Sequence, residues 1–110
     1  MENQYVPYLY PANSTLPVSL FGLVSRLQTS LLPEASHQKS LVINDVDKSV
    51  AINTDEDMLA YVVGGLMSIA IYSSCDACIR IETSRHDSGV HLFIRSNGDV
   101  LYTLPLVTAA

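Results

Sequence analysis

The sequence predicts an α+β fold, a two-layer α/β sandwich with helices on one face of a mainly antiparallel sheet. Three observations lead there. Apolar residues recur at helical spacing in two separate stretches, Val18 to Leu32 and Leu59 to Ile71. Three alternating runs follow, and the turn sequences Asp87-Ser88-Gly89 and Asn97-Gly98 separate them. The helices precede the meander instead of alternating with it, which favours a layered α+β sandwich over a doubly wound sheet. The 110 residues suit a single domain, 1–110, with an N-terminal arm over 1–13 and the sandwich over 14–110.

In the arm, Pro7 and Pro11 remove backbone donors, so an extended or irregular course is expected. Tyr5, Tyr8 and Tyr10 need a surface, either on their own domain or on a neighbouring chain. Ser14 or Thr15 can cap the first helix, with Pro17 in its first turn. Val18, Leu20, Phe21, Leu23, Val24, Leu27, Leu31 and Leu32 give that helix one broad apolar face, and Pro33 is expected to end it. A loop is expected from Glu34 to Ser40, then a short strand from Leu41 to Val46 and a second from Val50 to Asn53. Thr54 or Asp55 caps the second helix, and Glu56 and Asp57 complement its positive end. This helix runs to Tyr72 or Ser74. Its small residues Gly64, Gly65, Ser68 and Ala70 allow close approach of another element. Strands follow at Ala77–Thr83, Val90–Arg95 and Val100–Leu106.

Composition excludes several function classes. Hydrophobic residues make up 48% and charged residues 15%, which argues against disorder and for apolar surface covered by a partner. Six dispersed basic residues against eleven acidic ones give a net charge of -5, a poor match for nucleic acid or an anionic membrane. The first ten residues lack the pattern of a secretory signal. The most apolar stretch, Met58 to Tyr72, is shorter than the roughly 20 residues a membrane span needs. A cytoplasmic protein is the expectation. Cys75 and Cys78 form a lone Cys-x-x-Cys that follows a helix, where the redox motif would open one, and a structural or incidental role is expected. With no second pair and no histidine at ligand spacing, no metal is expected.

Catalytic constellations are weak. Asp45 and Asp47 share an alternation, and Asp55, Glu56 and Asp57 stand at a helix start, where capping and solvation explain them. No nucleophile elbow accompanies the serines and histidines. Gly64-Gly65 lies inside a helix without a following lysine, so it is no phosphate loop. His37 is a candidate phosphoacceptor, but its expected place is a loop, whereas phosphotransfer needs an exposed helix face.

From Val50 to Gly98 the order of elements resembles the Bergerat-fold ATPase domain of sensor histidine kinases. The stretch Ala51-Ile-Asn-Thr-Asp-Glu-Asp-Met-Leu59 matches the strand and helix start. Gly65-Leu66-Met67-Ser68-Ile69-Ala70-Ile71-Tyr72-Ser73-Ser74 matches the helix carrying Asn-Leu-Leu-x-Asn-Ala. Cys78–Thr83 and Val90–Ile94 fit the two strands, and Arg95-Ser96-Asn97-Gly98 falls at the Asp-x-Gly motif. The departures carry the functional message. The resemblance puts the metal-coordinating Asn at Ile69, the preceding Asn at Gly65, and the adenine-reading Asp at Ser96, with Gly98 at the motif's glycine. It also implies an ATP lid after this motif, and only a dozen residues follow. Ile69 offers Mg²⁺ no oxygen, and a serine accepts a hydrogen bond more weakly than a carboxylate. No cofactor is therefore expected.

Ile69 is expected to face the core or a filled pocket, so that Ile69→Asn costs about 2–4 kcal/mol. The resemblance implies a non-catalytic interaction or regulatory module, homodimeric through its tyrosine arm or the open edge of Val100–Leu106. The alternatives are a phosphotransfer or kinase-regulating protein with a kinase or response regulator as partner, and a small-molecule sensor using the vacated pocket.

Overall fold

A computed structural model describes residues 17–108. The arm over 1–13 and the caps expected at Ser14 and Thr15 lie outside the described residues. The elements are β1 (Val18–Ser19), α1 (Leu20–Ser30), α2 (Leu32–His37), β2 (Leu41–Asp45), β3 (Ala51–Ile52), α3 (Glu56–Tyr72), β4 (Cys78–His86), β5 (Gly89–Ser96) and β6 (Asp99–Val107).

The first helix starts later than expected. Val18 and Ser19 instead pair with Ile52 and Ala51, so β1 and β3 form a small antiparallel ribbon. Ser19 is the N-cap of α1, its Oγ accepting from the Gly22 N–H at 3.1 Å. Pro17 lies ahead of the helix. At the other end the expected loop is a helix in its first half. Pro33 stands in the first turn of α2, where its missing N–H costs nothing. It separates two helices and does not lead into coil.

The main sheet has the order β2-β4-β5-β6. β2 and β4 run parallel because α3 carries the chain back across the sheet between them. β4, β5 and β6 form an antiparallel meander. Asn97 and Gly98 both have positive φ (51° and 92°), as a two-residue turn matching strand twist requires.

The two layers meet on one face of the sheet. Ile79 and Ile81 of β4 and Val90, Leu92 and Ile94 of β5 are buried against Leu20, Leu23 and Val24 of α1 and Leu59, Val63, Met67 and Ile71 of α3. Each such side chain contributes about 1.5–3 kcal/mol through loss of apolar surface to water. Gly64 fits this packing, since a Cβ there would press on Leu27 of α1 at 3.1 Å. The opposite sheet face carries the ion pairs Arg80–Asp45 and Arg95–Glu82 beside Ile43 and Phe93. No polar or charged residue is buried among the described residues.

Candidate functional site

The candidate site is the outward face of α3 together with the end of β5. Asp55 fixes the start of α3, its Oδ1 accepting from the N–H groups of Asp57 (2.9 Å) and Met58 (3.2 Å). Gln38 fixes the other end. Its Nε2 donates to the Ser74 carbonyl at 2.9 Å and lies within 3.4 Å of the Ile71 carbonyl, so a side chain from the α2–β2 connection occupies the helix's carbonyl end. Sequence reasoning did not find Gln38, because its partners are more than thirty residues away.

Gly65 and Ile69 share the face of α3 turned away from the sheet. Ile69 is 52% exposed, which corrects the expectation that it faces the core or a filled pocket. The buried positions are its neighbours Ala70 and Ile71 and, one turn earlier, Met67. A Cβ on Gly65 would meet nothing within 4 Å. Ser96, in register with Ile79, points to the helix layer, where its Oγ lies 3.3 Å from the Ser74 Oγ. The structure therefore brings Ser96 to the C-terminal end of the helix that carries Gly65 and Ile69. Gly98 stands apart, in the hairpin turn, and its carbonyl accepts from Arg95 Nη1 at 3.0 Å. Asn97 closes this turn onto β4: its Oδ1 accepts from the Cys78 N–H and its own N–H donates to the Cys78 carbonyl, both at 2.9 Å. Two turn residues thus connect β5 to β6 where the resemblance implied a lid.

No carboxylate or amide side-chain oxygen stands at Gly65 or Ile69 on this face. Ile69 and Gly65 present only carbon, and the acids of α3, Glu56 and Asp57, stand two or more turns away. Glu56 pairs with Arg26. Among the described residues no group of three or more His, Cys, Asp or Glu could hold a metal ion. At the two positions that the resemblance gives to asparagine, neither Gly65 nor Ile69 offers a side-chain oxygen.

The other candidates have structural roles. Asp45 pairs with Arg80 at 3.3 Å. Asp47 lies beyond β2 and accepts from the Ser49 N–H (2.9 Å) and hydroxyl (2.8 Å), which hold its carboxyl below the usual range, with Arg85 adding to the effect. His37 is exposed at the last position of α2, so the helix absent from the sequence reading is present, though only six residues long. Cys75 and Cys78 are free thiols, the first exposed and the second half-buried. A shallow cleft of about 290 Å³ lies around the β4–β5 turn, lined by residues including His86, His91 and Pro105, at the end of β5 away from Ser96.

With this geometry established, the comparisons are specific about architecture. No protein-family model matches the sequence, and no curated protein does. Solved structures match well. The histidine kinase AdeS of Acinetobacter baumannii superposes with a TM-score of 0.68 at 16% identity, over 76% of this chain and 42% of that one. This is the fold of a histidine kinase catalytic domain. The cytoplasmic segment of the kinase QseC gives a TM-score of 0.66 at 17% identity, over 82% of this chain and 58% of its own. The kinase ThkA, solved in complex with the response regulator TrrA, gives 0.63 at 14% identity, over 72% of this chain and 24% of that one. The chain thus spans from about a quarter to somewhat over half the length of the kinases it matches. Among the described residues no helix is long and apolar enough to cross a membrane.

Proposed function

We propose that this chain is a non-catalytic interaction module of two-component signalling, with a kinase-like scaffold that has lost Mg-ATP binding. It acts in the cytoplasm as a homodimer. The observation that carries this reading is the outward face of α3. There the two positions that the resemblance gives to asparagine are Gly65 and Ile69, and the helix has no charged residue from Met58 to Tyr72. Such a face cannot coordinate a hard cation, but it can exclude water against an apolar partner. Ser96 adds to the case, because its hydroxyl is already within hydrogen-bond distance of Ser74.

Calorimetric titration with Mg-ATP tests the loss of nucleotide binding. No binding heat is expected. A dissociation constant below about 100 µM would overturn the reading. A second reading, docking to a kinase or response regulator, is favoured by the likeness to ThkA, which has been solved bound to its regulator. It is distinguished by a 1:1 complex with a regulator receiver domain on size exclusion. The small-molecule sensor receives less support, since the cleft described above lies at the far end of β5 from Ser96.

A further inference from the structure

Helix α3 carries more apolar surface than the described residues cover. Met58, Val62, Gly65, Ile69 and Tyr72 are all exposed, and they succeed one another at steps of four, three, four and three residues. That 3.5-residue period is the seam by which one helix packs on another. The seam is additional to the buried stripe of Leu59, Val63, Met67, Ala70 and Ile71 that already serves the core. Tyr61, 84% exposed, stands beside it.

Gly65 sits at the centre of the seam. An exposed glycine in mid-helix destabilises the chain relative to alanine. Gly64 has a reason within the chain, the contact with Leu27, but among the described residues Gly65 has none, since a Cβ there would meet nothing within 4 Å. Close approach of a second backbone would supply the reason.

We propose that the outward face of α3 is a self-docking surface on which two copies of this chain cross at Gly65. A two-fold interface must be complementary to itself. The seam is balanced about Gly65, with Val62 and Ile69 three and four residues away and Met58 and Tyr72 seven residues away on either side. A two-fold crossing at Gly65 places Met58 and Val62 of one copy over Tyr72 and Ile69 of the other. The glycine lets the backbones close up, and the tyrosine hydroxyls remain at the wet rim. Each chain has a net charge of -5, but the seam from Met58 to Tyr72 carries no charged residue, so like charges are confined to its two ends. From their fractional exposures, Tyr61 and the four large seam residues offer roughly 600 Å² per copy, near the ~800 Å² per partner of a standard interface.

The inference rests on the self-association reading above, and the test separates the two. Light scattering after size exclusion of the full chain at about 100 µM is expected to give twice the 12.0 kDa chain mass. Ile69→Glu and Gly65→Leu are each expected to raise the dimer dissociation constant at least tenfold while leaving the circular dichroism spectrum unchanged. Gly65→Leu is the stricter variant. In dilute monomer it melts no lower than the parent, because leucine favours the helix and has room, yet it weakens the dimer. A parent that is monomeric overturns both this surface and the self-association reading. A parent dimer that persists in both variants, but dissociates when residues 1–16 are removed or when Leu101→Lys alters the β6 edge, overturns the α3 surface alone.

Discussion

At Gly89 a methyl group would stand 2.0 Å from the carbonyl oxygen of Leu106, a backbone atom of the paired strand that cannot swing aside. The backbone there is ordinary, so the glycine serves close approach and not a special turn. Gly89→Ala is expected to cost about 2 kcal/mol, read as a lower urea midpoint at unchanged slope. Asp55 acts by hydrogen bonding: Asp55→Ala leaves two N–H groups of α3 without their acceptor and should cost about 1 kcal/mol in the same measurement. Asp47 titrates below the usual carboxylate range because the Ser49 N–H and hydroxyl bind its charged form. Its stabilising contribution is therefore present above the unfolded-state pKa and is lost as pH falls through the lower folded-state value. Asp47→Asn is expected to flatten the acid side of a plot of stability against pH, leaving the neutral region nearly level.

Among the elements, α3 joins the core to the candidate site, and its two faces should respond differently to substitution. Met67 is fully buried in the core, and Met67→Ala is expected to cost about 2–5 kcal/mol. Ile69 is half exposed, so Ile69→Asn is expected to change monomer stability by no more than about 0.5 kcal/mol. Thermal melts of dilute protein check both. The edge strand β6 is blunted twice. Leu101 is the extra residue of a bulge opposite Ile94 and Arg95, and Pro105 has no N–H to offer a further strand. These features make the edge a weaker docking site than the tyrosine-flanked seam of α3. Near the first helix, Asn44 of β2 does unforeseen work: its amide donates to the Phe21 carbonyl (3.1 Å) and Ser25 Oγ (2.9 Å), tying the sheet edge to α1.

For the whole molecule, self-association has a thermodynamic signature independent of any one residue. A dimer that dissociates on unfolding has a melting temperature that rises with protein concentration, whereas that of a monomer stays constant. A rise across a hundredfold concentration range is expected in calorimetry. Because both copies are acidic, added salt should screen their repulsion and strengthen the dimer. A concentration-independent transition would count against self-association by any surface.

The sequence by itself determined the two long helices, the three-strand meander and its turns, because these follow from local patterns. A 3.6-residue period, a two-residue period and an Asn-Gly turn are each complete within a few residues. The resemblance to the kinase ATPase domain was legible for the same reason, since element order survives at 12–17% identity to the solved kinases. The sequence also identified Gly65, Ile69 and Ser96 as the positions to examine. Tertiary structure decided which way they face. α3 is apolar along most of its length, so periodicity does not say which stripe meets the sheet; Met67, Ala70 and Ile71 hold that side and Ile69 does not. The pairing of Val18–Ser19 with Ala51–Ile52, and the capture of the end of α3 by Gln38, likewise depend on partners more than thirty residues away. An apolar residue is driven out of water wherever it lies, but which surface receives it is settled only when the layers pack.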